Sequence, residues 1–191
     1  MDVSAEEATL LERIAGGDQR ALHQALQAHG QAVFGFALRR LGSPEDAQDV
    51  VSDTLLALWR QAAAQRGRIT SLRAWLLGIA RHKVGDVLRG RGQHWREQAD
   101  DDGQLLAHAA DPDPSPLDRL CADCDDARLA QALDGLPEVQ REALYLFTYE
   151  GLSLAEIARI QQVPLATVGT RLHLARQRLR RSLAGDGGDP R

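Results

Sequence analysis

Three prolines at alternate positions, Pro112, Pro114 and Pro116, interrupt the 191-residue chain inside an aspartate-dense segment, EQADDDGQLLAHAADPDPSPLDRL (97–120). Each proline fixes φ and removes a backbone donor, so neither a helix nor a central strand passes through. The expected division is an N-terminal unit over 1–96, an acidic Pro/Asp-rich linker over 97–126, a C-terminal unit over 127–184 and a disordered tail over 185–191. Units of this size must each close a small core of their own. Aromatics make up 4 % of the chain and hydrophobics 43 %, so those cores draw mainly on Leu, Ala, Val and Ile. Ala and Leu favour helix, and no long β-branched or aromatic alternation is present. The expectation is all-α: two small helical domains joined by a flexible acidic linker.

Charge is sorted along the chain in a way the net value of −4 conceals. Residues 66–96 carry eight basic side chains against Asp86 alone, and residues 97–126 carry ten acids against Arg119. From residue 153 onward seven arginines face three acids. Two basic zones either side of an acidic stretch fit two contact points for a polyanion, or two solvated helix faces. Lys83 is the single lysine beside 22 arginines, and arginine suits planar phosphate and base recognition. No apolar run approaches the ~20 residues of a membrane span. Residues 1–10 are too acidic and polar for a signal peptide, so a cytoplasmic location is expected.

SPEDAQDVVSDTLLALW (43–59) carries clear helix signals. Ser43 caps, Pro44 suits the first turn, and Glu45 and Asp46 oppose the helix dipole. Ala47, Val50, Val51, Thr54, Leu55 and Leu58 follow the helical period as a buried stripe. Asp46, Asp49 and Asp53 form a separate acidic row, with Leu56 and Trp59 apolar beyond the stripe. That surplus fits either a second partner surface or a helix central to its bundle. In SLRAWLLGIARHKVGDVLR (71–89), Leu72, Leu76, Ile79, Ala80 and Val87 define one buried side. Ala74, Gly78, Arg81, Gly85 and Arg89 lie away from it, and interior glycines cost about 1 kcal/mol each relative to alanine. A close neighbour is implied, either another helix or a nucleic-acid strand.

The C-terminal unit begins its pattern at Pro137, runs helical to Tyr149 and stops at Gly151. Ser153 and Glu156 form an S-x-x-E capping box for a short helix with Leu154, Ile157 and Ala158 inward. A tight turn at residues 162–164 leads to an arginine-rich helix whose inward stripe is Val168, Leu172, Ala175, Leu179 and Leu183. Thr167, Thr170, Arg171 and His173 are then placed outward. Short helix, tight turn and longer basic helix make a helix-turn-helix, whose second helix enters the major groove.

LPEVQREALYLFTYEGLSLAEIARIQQVPLATVGTRLHLARQRLR resembles region 4 of the extracytoplasmic-function (ECF) sigma factors. LGSPEDAQDVVSDTLLALWR followed by LRAWLLGIARHKVGDVLRGR resembles their region 2, in the right order along nearly the whole chain. The resemblance implies a promoter-specificity subunit of bacterial RNA polymerase, not an enzyme, with no cofactor, metal or small-molecule substrate. Its partners would be the polymerase core through the largest and second-largest subunits, promoter DNA, and an anti-sigma factor, membrane-bound in many cases. Asp46, Asp49, Val50, Asp53, Leu55, Leu56 and Trp59 match the core-binding helix. Arg68, Arg73, Arg81, His82, Lys83 and Arg89 match the −10 recognition and melting element, and Thr167, Thr170, Arg171, His173 and Arg176 the −35 reader. Trp75 is assigned to the core, and Arg178, Arg180 and Arg181 to phosphates or solvent. This chain has Gly169 and Leu174 where members often carry basic residues, and His82 where asparagine is common.

C-A-D-C at 121–124 offers two metal ligands where a structural zinc site needs four, and its acidic neighbours disfavour the thiolate. Ordinary helix-start residues are expected there, with His108 the nearest histidine. A stand-alone helix-turn-helix regulator that is not a polymerase subunit is the alternative function. The region-2-like block argues against it.

Overall fold

A computed structural model describes residues 5–92 and 126–184. The linker with its prolines, Cys121, Cys124, His94, His108 and the residues after 184 lie outside the described residues. Among the described residues every regular element is a helix, and the chain separates into two compact units, one within 1–96 and one within 97–191.

The first unit holds α1 (Ala5–Ala15), α2 (Gln19–Leu41), α3 (Pro44–Gln65) and α4 (Leu72–Gly90). Polar side chains start three of these helices. Asp18 accepts from the backbone N–H of Arg20 at 2.8 Å and of Ala21 at 3.3 Å, and Ser43 accepts from Asp46 N–H at 3.3 Å. Ser71 accepts from Ala74 N–H at 3.1 Å, while Leu72 N–H donates to the Glu7 carboxylate at 3.2 Å. One orphan donor of α4 is thus satisfied from α1, 65 residues earlier in the chain. Between α2 and α3, Gly42 takes a left-handed φ of 65° and its N–H closes onto Leu38 O, a conformation glycine adopts without penalty.

The core of this unit is aliphatic with Phe36 at its centre, and Ala21, Ala25, Ala37, Ala47, Ala62 and Ala80 are fully enclosed. Small side chains at helix contacts let the backbones approach closely, which is how an aromatic-poor chain fills its interior. The stripe expected on α3 holds at Ala47, Val50, Val51, Thr54 and Leu58, with Leu55 only half-buried. On α4 the buried side is rotated from the expected one. Leu72, Leu76 and Ala80 are buried as expected, but Leu77, Val84, Ala74, Arg81 and Gly85 join them, while Ile79 and Val87 are half-buried. The helix packs against both α2 and α3, so two partners widen its buried arc beyond one stripe. The close neighbour of Gly85 is the Arg89 guanidinium, 3.3 Å from where a Cβ would stand.

The second unit holds α5 (Asp126–Asp134), α6 (Glu138–Thr148), α7 (Leu154–Gln161) and α8 (Leu165–Ala184). Gly151, at φ 67°, ends the approach to α7, and the capping box is complete. The Ser153 hydroxyl accepts from Glu156 N–H at 3.3 Å, and Ser153 N–H donates to the Glu156 carboxylate at 2.8 Å. Gln162 closes α7 in the left-handed region at φ 56°. Ile157, Ile160, Leu146, Leu172, Ala175 and Leu179 are buried between these helices, and Leu183 is half-buried.

His29 on α2 is half-buried, and burial holds its imidazole below the ordinary 6.5; Glu7 opposes this and Arg73 adds to it. The unfolded chain takes up a proton that the folded chain resists, so acidification below 6.5 destabilises this unit. All three tryptophans lie within residues 1–96, so tryptophan fluorescence follows its melting alone. We expect the Tm of His29→Gln to fall less steeply than that of the wild type as pH drops from 6.5 toward the carboxylate range.

Candidate nucleic-acid and partner interface

On α3 the acidic row and the surplus apolar residues share the solvent side of the first unit. Asp49 is exposed, Leu56 is 44 % exposed, and Leu55 and Trp59 are half-buried. Val50 is different: at 2 % exposure it belongs to the core and cannot offer apolar contact to a partner. Asp46 is bonded to the Arg91 guanidinium. The Ser43 hydroxyl first, and Arg91 second, hold its carboxyl below the usual carboxylate range.

The basic side chains of α4 divide into two groups. His82 and Arg89 are exposed, Arg73 and Lys83 are half-buried, and Arg68 is exposed in the turn before the helix. Arg81 departs from the expected exposed position: only 4 % exposed, it is packed into the domain. Two further charges are engaged within the unit. Lys83 Nζ lies 3.1 Å from the Asp53 carboxylate of α3, and Arg89 lies 2.6 Å from Asp86. Pairs this exposed contribute about 0–1 kcal/mol each, little enough for a stronger ligand to exchange. Arg91, which the sequence had not marked, joins Asp46 and also donates to Leu41 O at 3.2 Å. One side chain thereby ties the end of α4 to the end of α2 and the start of α3.

In the second unit Arg171 of α8 is not where periodicity placed it. Arg171 is 5 % exposed and donates to Gln161 Oε1 at 2.9 Å, while Gln161 Nε2 donates to Val139 O at 3.1 Å. A buried chain therefore runs from α8 through the end of α7 to α6, and Arg171 is not an outward reader. Its aliphatic stem fills the gap between the helices while its fork satisfies a buried amide, which a short aliphatic residue would leave unpaired. Arg176 is half-buried with its guanidinium 5.5 Å from the Phe147 ring centre, a cation–π distance. Arg178 donates to Gln140 Oε1 at 2.6 Å. Thr167 and Thr170 are half-buried, and His173, Arg180 and Arg181 are exposed. Gln161 and Gln140, the partners of these arginines, were not legible, because a glutamine inside a helix carries no signal of inward orientation.

Loss of the Arg171 fork leaves the buried Gln161 amide oxygen without its donor. We expect Arg171→Ala to destabilise the second unit by about 1–3 kcal/mol, and His173→Ala by less than about 0.5 kcal/mol. Urea melts followed by circular dichroism separate the two outcomes, since tryptophan emission is silent for this unit.

Residues 25–94 match the family described as Sigma-70 region 2, and residues 126–179 match Sigma-70, region 4. ECF RNA polymerase sigma factor SigK of Mycolicibacterium vanbaalenii is 32 % identical over 95 % of this chain and 91 % of its own length. ECF RNA polymerase sigma factor SigE of Mycolicibacterium smegmatis is 34 % identical over 89 % of this chain; the match spans 65 % of that longer relative. Among solved structures, RpoE of Bartonella quintana, in complex with the anti-sigma factor NepR, is similar at a TM-score of 0.60. It is 30 % identical, covering 86 % of this chain and 97 % of that one. CnrH, in complex with the cytosolic domain of CnrY, reaches a TM-score of 0.65 at 28 % identity, covering 94 % and 98 % respectively.

Proposed function

The chain belongs to the ECF sigma factors of bacterial RNA polymerase, and from that premise we propose how its two units divide the work of initiation. The first unit docks on core polymerase through the solvent side of α3 and engages the −10 element through α4. The second presents α8 to the −35 element in duplex form. One observation carries this reading above all: a helix-turn-helix shares its chain with a separate unit in which an exposed acidic and apolar helix face adjoins a basic helix. An operator-binding regulator has no use for that first unit.

Within it, Asp49, Asp53, Leu55, Leu56 and Trp59 are the proposed polymerase contacts, with Asp46 acting through its bond to Arg91. Arg68, Arg73, His82, Lys83 and Arg89 are the proposed −10 contacts, where a basic surface tracks the phosphates of an unpaired strand. Arg180 and Arg181 lie late on α8 and serve phosphates, which position the helix without reading sequence. The protein works as a specificity subunit and not as an enzyme, in the cytoplasm where the polymerase is. No helix among the described residues is long and apolar enough to cross a membrane. NepR bound to RpoE supports an anti-sigma factor as a further partner, covering the same docking face in competition with the polymerase.

The test is in vitro transcription from a promoter library with core enzyme. Core plus this protein should initiate from a subset of promoters sharing two spaced elements, and neither component alone should. Tight binding to duplex DNA without core, and no initiation, would instead indicate the stand-alone regulator. Leu56→Asp, at a surface site, should weaken core binding about tenfold or more while moving stability by less than about 0.5 kcal/mol.

A further inference from the structure

Three of the five arginines of α8 are engaged within the second unit. The commonest hydrogen-bonded contact to guanine in the major groove is an arginine or lysine on O6 and N7. In the first two turns of α8 the one arginine, Arg171, is buried and bonded to Gln161. Arg176 and Arg178 are held against Phe147 and Gln140. The exposed pair, Arg180 and Arg181, stands at the far end of the helix.

The helical period, taken from the buried stripe Val168, Arg171, Leu172, Ala175 and Leu179, places Ala166, Gly169, Thr170 and His173 on the opposite side. Ala166 and His173 are exposed, and Gly169 and Thr170 half-buried. This face is short-chained. Gly169 has no Cβ to hold the backbone away from a base edge. The Thr170 hydroxyl proton is donated to Ala166 O at 3.1 Å, so the methyl is the larger group that side chain has left to offer. Close approach of small apolar groups is the chemistry that recognises the thymine 5-methyl in the major groove, where alanine and the threonine methyl are suited to it.

Resting on the −35 assignment above, we propose that α8 reads thymine methyl groups through Ala166, Gly169 and Thr170. His173 is its polar reader, donating to or accepting from a base edge. Specificity then comes from apolar contact and close backbone approach, with the late arginines supplying sequence-independent phosphate binding.

The experiment uses holoenzyme assembled from the full chain and core polymerase, on a promoter recovered from a random library. Thymines of its −35 element, on both strands, are replaced one at a time by deoxyuridine, which removes only the methyl. Binding should weaken about three- to fivefold at one or more positions, the effect of exposing one methyl-sized group. Thr170→Ser, which keeps the hydroxyl, should abolish the sensitivity at one position. Thr170→Val, which keeps a methyl there, should retain it. The inference falls if deoxyuridine is silent at every −35 thymine, or if the selected element has no A·T pairs. It falls equally if Thr170→Ser and Ala166→Gly both leave every sensitivity unchanged. A holoenzyme that initiates nowhere overturns the sigma reading and this inference together. One that initiates normally but ignores the methyl overturns this inference alone.

Discussion

Closing two small cores with few aromatic side chains is the constraint on which the remaining features depend. Alanine at the helix contacts brings backbones close, and leucine fills the layers between them. What neither fills is taken by the stems of arginine, a side chain with apolar carbons and a head that demands partners. Arg81 and Arg171 are buried outright, and Arg40 and Arg176 lie over the rings of Phe36 and Phe147 at 4.5 and 5.5 Å. Much of the basic composition is therefore structural. It supports packing before it is available to a nucleic acid.

The same economy shapes the first unit's electrostatics. α3 is acidic and α4 basic, and where they pack they neutralise one another through Asp53 with Lys83 and Asp46 with Arg91. Residues proposed for polymerase and residues proposed for DNA are thus linked in the isolated protein. The first of these pairs is exposed and weak, so binding a polyelectrolyte on either side meets little resistance from it. The Asp46 pair has more support, because Ser43 and the carbonyl of Leu41 join the same cluster.

In the second unit, the buried bonds from Arg171 through Gln161 to Val139 O fix α8 against α7 and α6. A reading helix gains precision from a rigid mount, since a base contact fails when its geometry drifts. Placing an arginine in that mount withdraws it from the groove. The outward face is left to small residues and His173, consistent with the interruption of the basic row at Gly169 and Leu174.

Much of this was legible in the sequence because it is local. Caps at Ser43 and Ser153, the stop at Gly151 and the buried period of α8 each depend on residues within a turn or two. Family membership followed from two motif blocks in order, which needs no tertiary information. What required the tertiary structure was the direction of long polar side chains. Periodicity treats every arginine as outward, yet Arg81 is buried, Arg171 is buried and bonded to Gln161 on another helix, and Val50 lies too deep to meet a partner. Glu7 caps α4 from 65 residues away, and Arg91 joins three helices. Such pairings depend on which helices pack together and at what rotation. The sequence by itself therefore determined the helices, their caps and the family; the fold alone decided which charges remain available to act, because burial is a property of neighbours and not of the residue.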